Sequence, residues 1–304
     1  MRDARVAVVG LGLMGGSLAM ALVERSLCRE VIGVARRAEA VQEAVAGRVV
    51  HGATTDLMEG VAGADIIVLA TPVRTVLRQI HQLARAPLGP CLLLDLGSTK
   101  RDIVAAMEEL PPPVQPVGAH PMCGKEKAGL SAAEPTLYAG APWVLVPLPR
   151  TAPQALALAR ELAVAVGGHP LVMDAERHDR LVAAISHLPY LLAVALMLTT
   201  IEAGAQDDLV WKLAASGFRD TSRLAASDVT MMLDILLTNR VAIGDILRRA
   251  SAHWSRLADL LIAADEDGLR ALLVAAHEQR TPMFQPQEAQ VQNSHHAPAG
   301  HHEA

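Results

Sequence analysis

Residues 5 to 17 read Arg-Val-Ala-Val-Val-Gly-Leu-Gly-Leu-Met-Gly-Gly-Ser. This is a short apolar strand that runs straight into a Gly-x-Gly-x-x-Gly turn. The residues after the turn, Ser17 to Val23, suit a helix. A strand, a glycine turn and a helix in this order constrain the chain to open a doubly wound α/β sheet. Gly10 permits the tight turn, Gly12 leaves the main chain open to a pyrophosphate, and Gly15 lets the helix pack close to the strand. The amides of Gly12, Leu13, Met14 and Gly15 then lie at a helix N-terminus, where phosphate binds well. The motif therefore predicts a dinucleotide site.

The second strand tunes that site. Val31 to Val34 is apolar and is followed by Ala35, Arg36 and Arg37. An acidic residue about 20 positions beyond the glycines would hold a ribose 2′-hydroxyl. This chain has none there, and two guanidiniums stand ready for a 2′-phosphate. The reading favours NADP over NAD. Thr71 and Pro72, at the end of a further strand, are expected beside the nicotinamide.

The first half alternates strand and helix. Strands are expected at 5–10, 30–35, 65–70, 91–95, 115–119 and 143–147, with a short one at Leu171–Met173. Helices are expected at about 15–26, 38–46, 73–85, 100–110 and 152–166. Such alternation predicts a mostly parallel sheet. From Asp174, a plausible N-cap, helical periodicity takes over. Helices are expected near 175–204, 207–216, 221–226, 228–250, 252–264 and 267–280. The expected domains are 1–170, a Rossmann-type α/β domain, and 171–281, an all-α domain. Residues 282–304 are rich in Pro, Gln, Asn, Ala and His, and a disordered tail is expected there.

Composition excludes several alternatives. The formal charge of −5 leaves no basic surface for nucleic acid. Three cysteines without ligand spacing imply neither disulfides nor a metal site, and suit a reducing cytoplasm. The tail histidines His295, His296, His301 and His302 are expected to hold no functional metal. With the first strand at residue 5, no signal peptide is expected. Leu181 to Ile201 is apolar enough to span a bilayer. It is interrupted by Ser186, His187 and Pro189, and a buried core helix with a subunit interface is expected instead of a membrane span.

Candidate chemistry collects where strands end. His120 follows a strand and precedes a glycine-containing loop, and an imidazole suits removal of a proton from an alcohol. Ser98 is expected to hydrogen-bond both His120 and the substrate hydroxyl. In the helical half, His187 lies beside helix-disrupting Pro189, and Gly217 marks an expected helix break ahead of Arg223. Arginines there could clamp a carboxylate, or Arg219 and Asp220 could form a surface pair.

Taken together, these segments resemble the prephenate and arogenate dehydrogenases of tyrosine biosynthesis. The resemblance covers about residues 5 to 280. It rests on Gly10 through Ser17, Asp95 through Lys100, His120-Pro121-Met122 with Gly124, Ser186 through Pro189, and Ser216 through Arg223. It implies a Rossmann domain followed by an all-α dimerisation domain that interlocks two subunits. It also implies a small cyclohexadiene carboxylate as substrate, with oxidative decarboxylation coupled to hydride transfer to NAD(P). His120 matches the proton acceptor, Ser98 the residue that positions it, and Arg223 the carboxylate ligand with His187 nearby. Glu126 and Lys125 match loop positions near the substrate side chain. Cys123, Lys125, Tyr190 and Val229 depart from the commonest pattern, which bears on side-chain selectivity. Two other readings are a β-hydroxyacid dehydrogenase, for which Lys212 lacks the expected Asn four residues on, and a non-catalytic dinucleotide sensor, which would need no base.

Overall fold

The computed structural model describes residues 1–294, with side chains through Met283. The tail histidines His295, His296, His301 and His302, expected to hold no functional metal, lie outside the described residues. The strands are β1 (Arg5–Val9), β2 (Glu30–Val34), β3 (Gly52–Thr54), β4 (Ile66–Leu69), β5 (Cys91–Asp95), β6 (Val114–Pro121), β7 (Pro142–Pro147) and β8 (His169–Val172). They form a single eight-stranded sheet in the order β3-β2-β1-β4-β5-β6-β7-β8. All neighbours are parallel except β6 and β7. Chain order reverses between β1 and β4, and the crevice beyond their carboxyl ends is where such sheets bind ligands.

The helices of this half are α1 (Leu13–Glu24), α2 (Ala38–Ala46), α3 (Leu57–Val61), α4 (Val73–Leu83), α5 (Arg101–Met107) and α6 (Pro153–Ala165). Alternation along the strands divides the core. Val6 and Val8 of β1 pack with Leu18 and Leu22 of α1 and Leu162 of α6. Ala7 and Val9 face the other way, with Val76 and Ile80 of α4 and Ile103 of α5. Both faces of the sheet are thus covered, as a parallel sheet requires. The strand β3 and the helix α3 are additions to the expected elements; Asp56 caps α3 by accepting from Glu59 N at 2.9 Å.

Beyond the sheet lie α7 (Ala175–Val182), a π-helical turn (Ala183–His187), α8 (Leu188–Gln206), α9 (Leu209–Leu213), α10 (Ser216–Ser222), a 3₁₀ turn (Arg223–Ala226), α11 (Val229–Thr238), α12 (Arg240–Ile262) and α13 (Glu266–Ser294). Asp174 caps α7 as expected, accepting from Arg177 N at 2.7 Å. The expected helix at 175–204 is broken by the π turn just before Pro189, which sits in the first turn of α8. The expected break near residue 251 falls instead at Asn239, between α11 and α12. The chain divides into two compact units, Met1–Ile246 and Leu247–Ala304. Within the second, α13 runs on to Ser294, past the expected end at residue 280.

The helix from Ala175 to Gln206 is not a buried core helix within one chain. Only 22% of its most apolar stretch is buried. Leu181, Ile185, Leu198 and Ile201 are all exposed. An apolar surface of this size needs cover.

Candidate active site

The glycine turn has the geometry its sequence implies. Gly10 has a φ of +103°, and a Cβ there would lie 2.7 Å from Thr71 Cγ2. A Cβ on Gly15 would lie 1.9 Å from the Gly10 carbonyl oxygen, so only glycine lets α1 approach β1 this closely. A Cβ on Gly12 meets nothing within 4 Å. The space beside Gly12 is open, at the N-terminus of α1, and fits a pyrophosphate. Leu13 and Met14 form the first turn of α1, and the Met14 carbonyl accepts the Tyr138 hydroxyl at 2.6 Å. Arg36 and Arg37 are exposed just beyond β2, with Arg37 at the N-cap of α2. Pro72 is the N-cap of α4, and Thr71 donates to Gln79 Oε1 at 2.7 Å.

His120 is the penultimate residue of β6, paired across the antiparallel ladder with Val144. Asp95, fully buried at the end of β5, accepts from Gly97 N at 2.7 Å and from Ala119 N at 3.0 Å. It also holds the buried Lys100 ammonium. One carboxylate therefore ties the Gly97–Lys100 loop to the residue before His120. Burial lowers the Lys100 pKa, and the Asp95 charge works against that shift.

The His120 ring does not meet Ser98. Its Nδ1 lies 2.8 Å from Nε2 of His178, with the ring planes at 72°. His178 Nδ1 in turn lies 2.8 Å from Asp179 Oδ1. The expected Ser98–His120 bond is absent among the described residues; the imidazole that α7 brings to Nδ1 of His120 is its hydrogen-bond partner instead. Burial holds the His120 pKa well below the usual imidazole range, and the charges of His178, Lys100 and His187 add to that.

Asp179 is a junction. Its Oδ1 accepts from Lys100 N at 2.8 Å and its Oδ2 from Arg101 N at 3.0 Å, so it caps α5 from across the fold. Its backbone carbonyl accepts from Asn239 Nδ2 at 2.8 Å, and the same amide nitrogen lies 3.3 Å from His187 Nδ1. His187 is buried on the π turn, and burial pushes its pKa down to about 4. Two further contacts join the halves: Thr99 with Thr238 at 2.8 Å, and Arg74 N donating to Asp234 Oδ2 at 3.1 Å.

Among the remaining expected site residues, one pair comes together. Arg223, on the 3₁₀ turn, reaches across to Glu126 in the loop after β6. Lys125 pairs with Glu134 at 2.5 Å. Gly217 lies inside the first turn of α10 and is not the break; the chain is extended at Ala215. Arg219 and Asp220 form the exposed pair given as an alternative, at 3.2 Å. His178, Asp179 and Asn239 were not anticipated. A usable signal was present: the Asp174 cap sets the phase of α7, which places His178 and Val182 on one buried face.

Residues 18–172 match the family described as prephenate dehydrogenase, nucleotide-binding domain. Residues 174–275 match prephenate dehydrogenase, dimerization domain. Prephenate dehydrogenase of Bacillus subtilis is 35% identical over 81% of this chain and 66% of its own length, so the chain spans about two thirds of that relative. The crystal structure of Aquifex aeolicus prephenate dehydrogenase in complex with hydroxyphenyl propionate and NAD+ superposes with a TM-score of 0.86 at 29% identity, covering 92% of this chain and 98% of that one. Synechocystis arogenate dehydrogenase superposes with a TM-score of 0.79 at 31% identity, covering 92% and 99%.

Proposed function

Because the chain belongs to the prephenate dehydrogenase family, we propose that it oxidatively decarboxylates prephenate, arogenate or both in tyrosine biosynthesis. The observation that carries this reading is the His120–His178–Asp179 chain at the carboxyl end of β6, which gives His120 a fixed, uncharged imidazole. An uncharged imidazole is the form that accepts a proton.

Gly10, Gly12, Leu13, Met14 and Gly15 would hold the pyrophosphate of NAD(P), with Thr71 and Pro72 beside the nicotinamide. A nicotinamide bound there would supply the acceptor for the hydride that leaves ring C4. His120 takes the proton of the C4 hydroxyl, and Ser98, in the loop that follows β5, orients that hydroxyl. The ring carboxylate leaves as CO2 and the ring becomes aromatic. Arg223 binds a substrate carboxylate, with His187 supplying a further polar contact. Gly217, Glu126 and Lys125 border the substrate side chain. Glu126 and Lys125 are each engaged in an ion pair, so neither charge alone selects a keto acid or an amino acid side chain.

NADP is the favoured cofactor. Arg36 and Arg37 are exposed after β2, and no carboxylate stands at the ribose position to repel a 2′-phosphate. The exposed apolar face of α7 and α8 supports a homodimer through the helical region. The composition supports a cytoplasmic location, with neither nucleic acid nor membrane as partner.

The test supplies the purified protein with prephenate and with arogenate, each with NAD+ and with NADP+, and follows reduced nicotinamide. Turnover of at least one pair, with NADP+ preferred, is expected. No turnover of either substrate with either cofactor would reject the reading.

A further inference from the structure

We infer that Asp179 sets two neighbouring imidazoles to opposite roles, leaving His120 a proton acceptor and His187 a proton donor toward the substrate. The inference rests on His120 being the base and adds three positioning residues to it: His178, Asp179 and Asn239.

The first arm runs through the Asp179 side chain. Both its oxygens accept backbone amides, Lys100 N and Arg101 N, which suits a carboxylate that only accepts. His178 Nδ1, 2.8 Å from Oδ1, must therefore carry a proton. In the inferred arrangement the other ring nitrogen of His178, Nε2, is the acceptor of the proton on His120 Nδ1 at 2.8 Å. That leaves His120 Nε2 without a proton. When Nε2 takes one from the substrate, the positive charge forms on His120. The Nδ1 proton can then pass to His178 Nε2, which places the charge next to Asp179. One proton enters and none is lost, so the carboxylate stabilises the charge at one imidazole's remove.

The second arm runs through the backbone of the same residue. A carbonyl oxygen only accepts, so the Asn239 atom 2.8 Å from Asp179 O is the amide nitrogen. The other hydrogen of that nitrogen points along the 3.3 Å contact to His187 Nδ1. His187 Nδ1 is thus an acceptor, and its proton resides on Nε2. Burial keeps the ring neutral. A base and a donor result from one residue type, separated only by what stands behind each ring. The charged or titratable groups facing His120 are His178 from α7, His187 from the π turn and Lys100 ahead of α5. Lys100 is itself neutralised by Asp95.

Heteronuclear NMR of the full-length protein with nitrogen-labelled histidine reads which ring nitrogen carries the proton. Signals are assigned by their disappearance in His120→Gln and His187→Gln. At neutral pH the wild type should show the proton on Nδ1 of His120 and on Nε2 of His187. A proton on Nε2 of His120, or on Nδ1 of His187, overturns the inference. Asn239→Asp replaces the donor behind His187 with an acceptor. It should move the His187 proton to Nδ1 and raise KM roughly tenfold, the scale of one lost hydrogen bond to a charged group. A folded Asn239→Asp protein whose His187 keeps its Nε2 proton removes Asn239 from the scheme. Full turnover by His120→Asn would instead reject the base itself, a separate failure.

Discussion

Arg223 Nη1 donates to Glu126 Oε1 at 2.5 Å, which joins the 3₁₀ turn of the helical region to the loop six residues beyond His120. The two are 97 residues apart in the chain. Both side chains are more than half exposed, so the pair contributes less than about 1 kcal/mol to stability. Its consequence is positional: the guanidinium expected to bind a carboxylate is held over the loop that follows the base. Arg223→Ala should raise KM with little change in kcat and little change in Tm, because the carboxylate it binds persists until decarboxylation. Steady-state kinetics check this; a fall in kcat at unchanged KM would contradict the role.

Two glycines of the same turn should fail in different ways. Gly12→Val places a side chain in open space, where the phosphates belong, and should leave Tm near wild type while abolishing nucleotide binding. Gly15→Val drives its Cβ into the Gly10 carbonyl and should prevent folding at ordinary temperatures. Calorimetry and cofactor titration separate the two. Equal loss of stability in both variants would mean that Gly12 is a packing residue.

The cofactor preference turns on charge after β2. Arg36→Asp introduces the carboxylate that a ribose hydroxyl favours and a 2′-phosphate repels. NADP+ binding should weaken more than NAD+ binding, by tenfold or more on the usual scale of a charge-assisted contact, roughly 1.5–3 kcal/mol. Equal losses for both cofactors would place Arg36 outside the binding site.

The buried imidazoles make stability depend on pH. The pKa of His187 falls from 6.5 in the open chain to about 4 in the fold, and that of His120 falls in the same direction. Between those values the unfolded chain binds a proton that the folded chain refuses. Stability is therefore fully present above pH 6.5 and is lost as pH falls toward about 4. Urea midpoints measured across this window should decline, and His187→Gln should flatten the decline. The acid limb of kcat/KM should likewise lie below the ordinary imidazole range, since His120 stays uncharged there.

Much of the sheet was legible because its strands are continuous apolar runs buried on both faces, as β4 and β5 show. Gly52–Thr54 escaped notice because three half-buried residues carry no periodicity, and α3 because five residues make barely more than a turn. The glycine turn was readable from residue type and spacing, as the φ of Gly10 and the close approach at Gly15 show; His120 and His187 stood out as imidazoles beside a strand end and a proline, and Arg223 only through the family resemblance. The partner of His120 was not: Ser98 is nearer in the strand order, but His178 arrives from a helix 58 residues further on. Glu176 to Arg180 reads as a charged, solvated run, and only the phase set by Asp174 buries one side of it. Asn239 likewise ends α11 in the polar run Thr238-Asn239-Arg240, and nothing in that run announces that its amide reaches Asp179 O and His187 Nδ1, 60 and 52 residues back.

The most direct measurement is the turnover of His120→Asn with prephenate and arogenate under saturating cofactor. Asparagine cannot accept the C4 hydroxyl proton, so kcat should fall by about 10²–10⁴, while nucleotide binding at the glycine turn is retained. Turnover equal to that of the wild type would contradict the account at its centre.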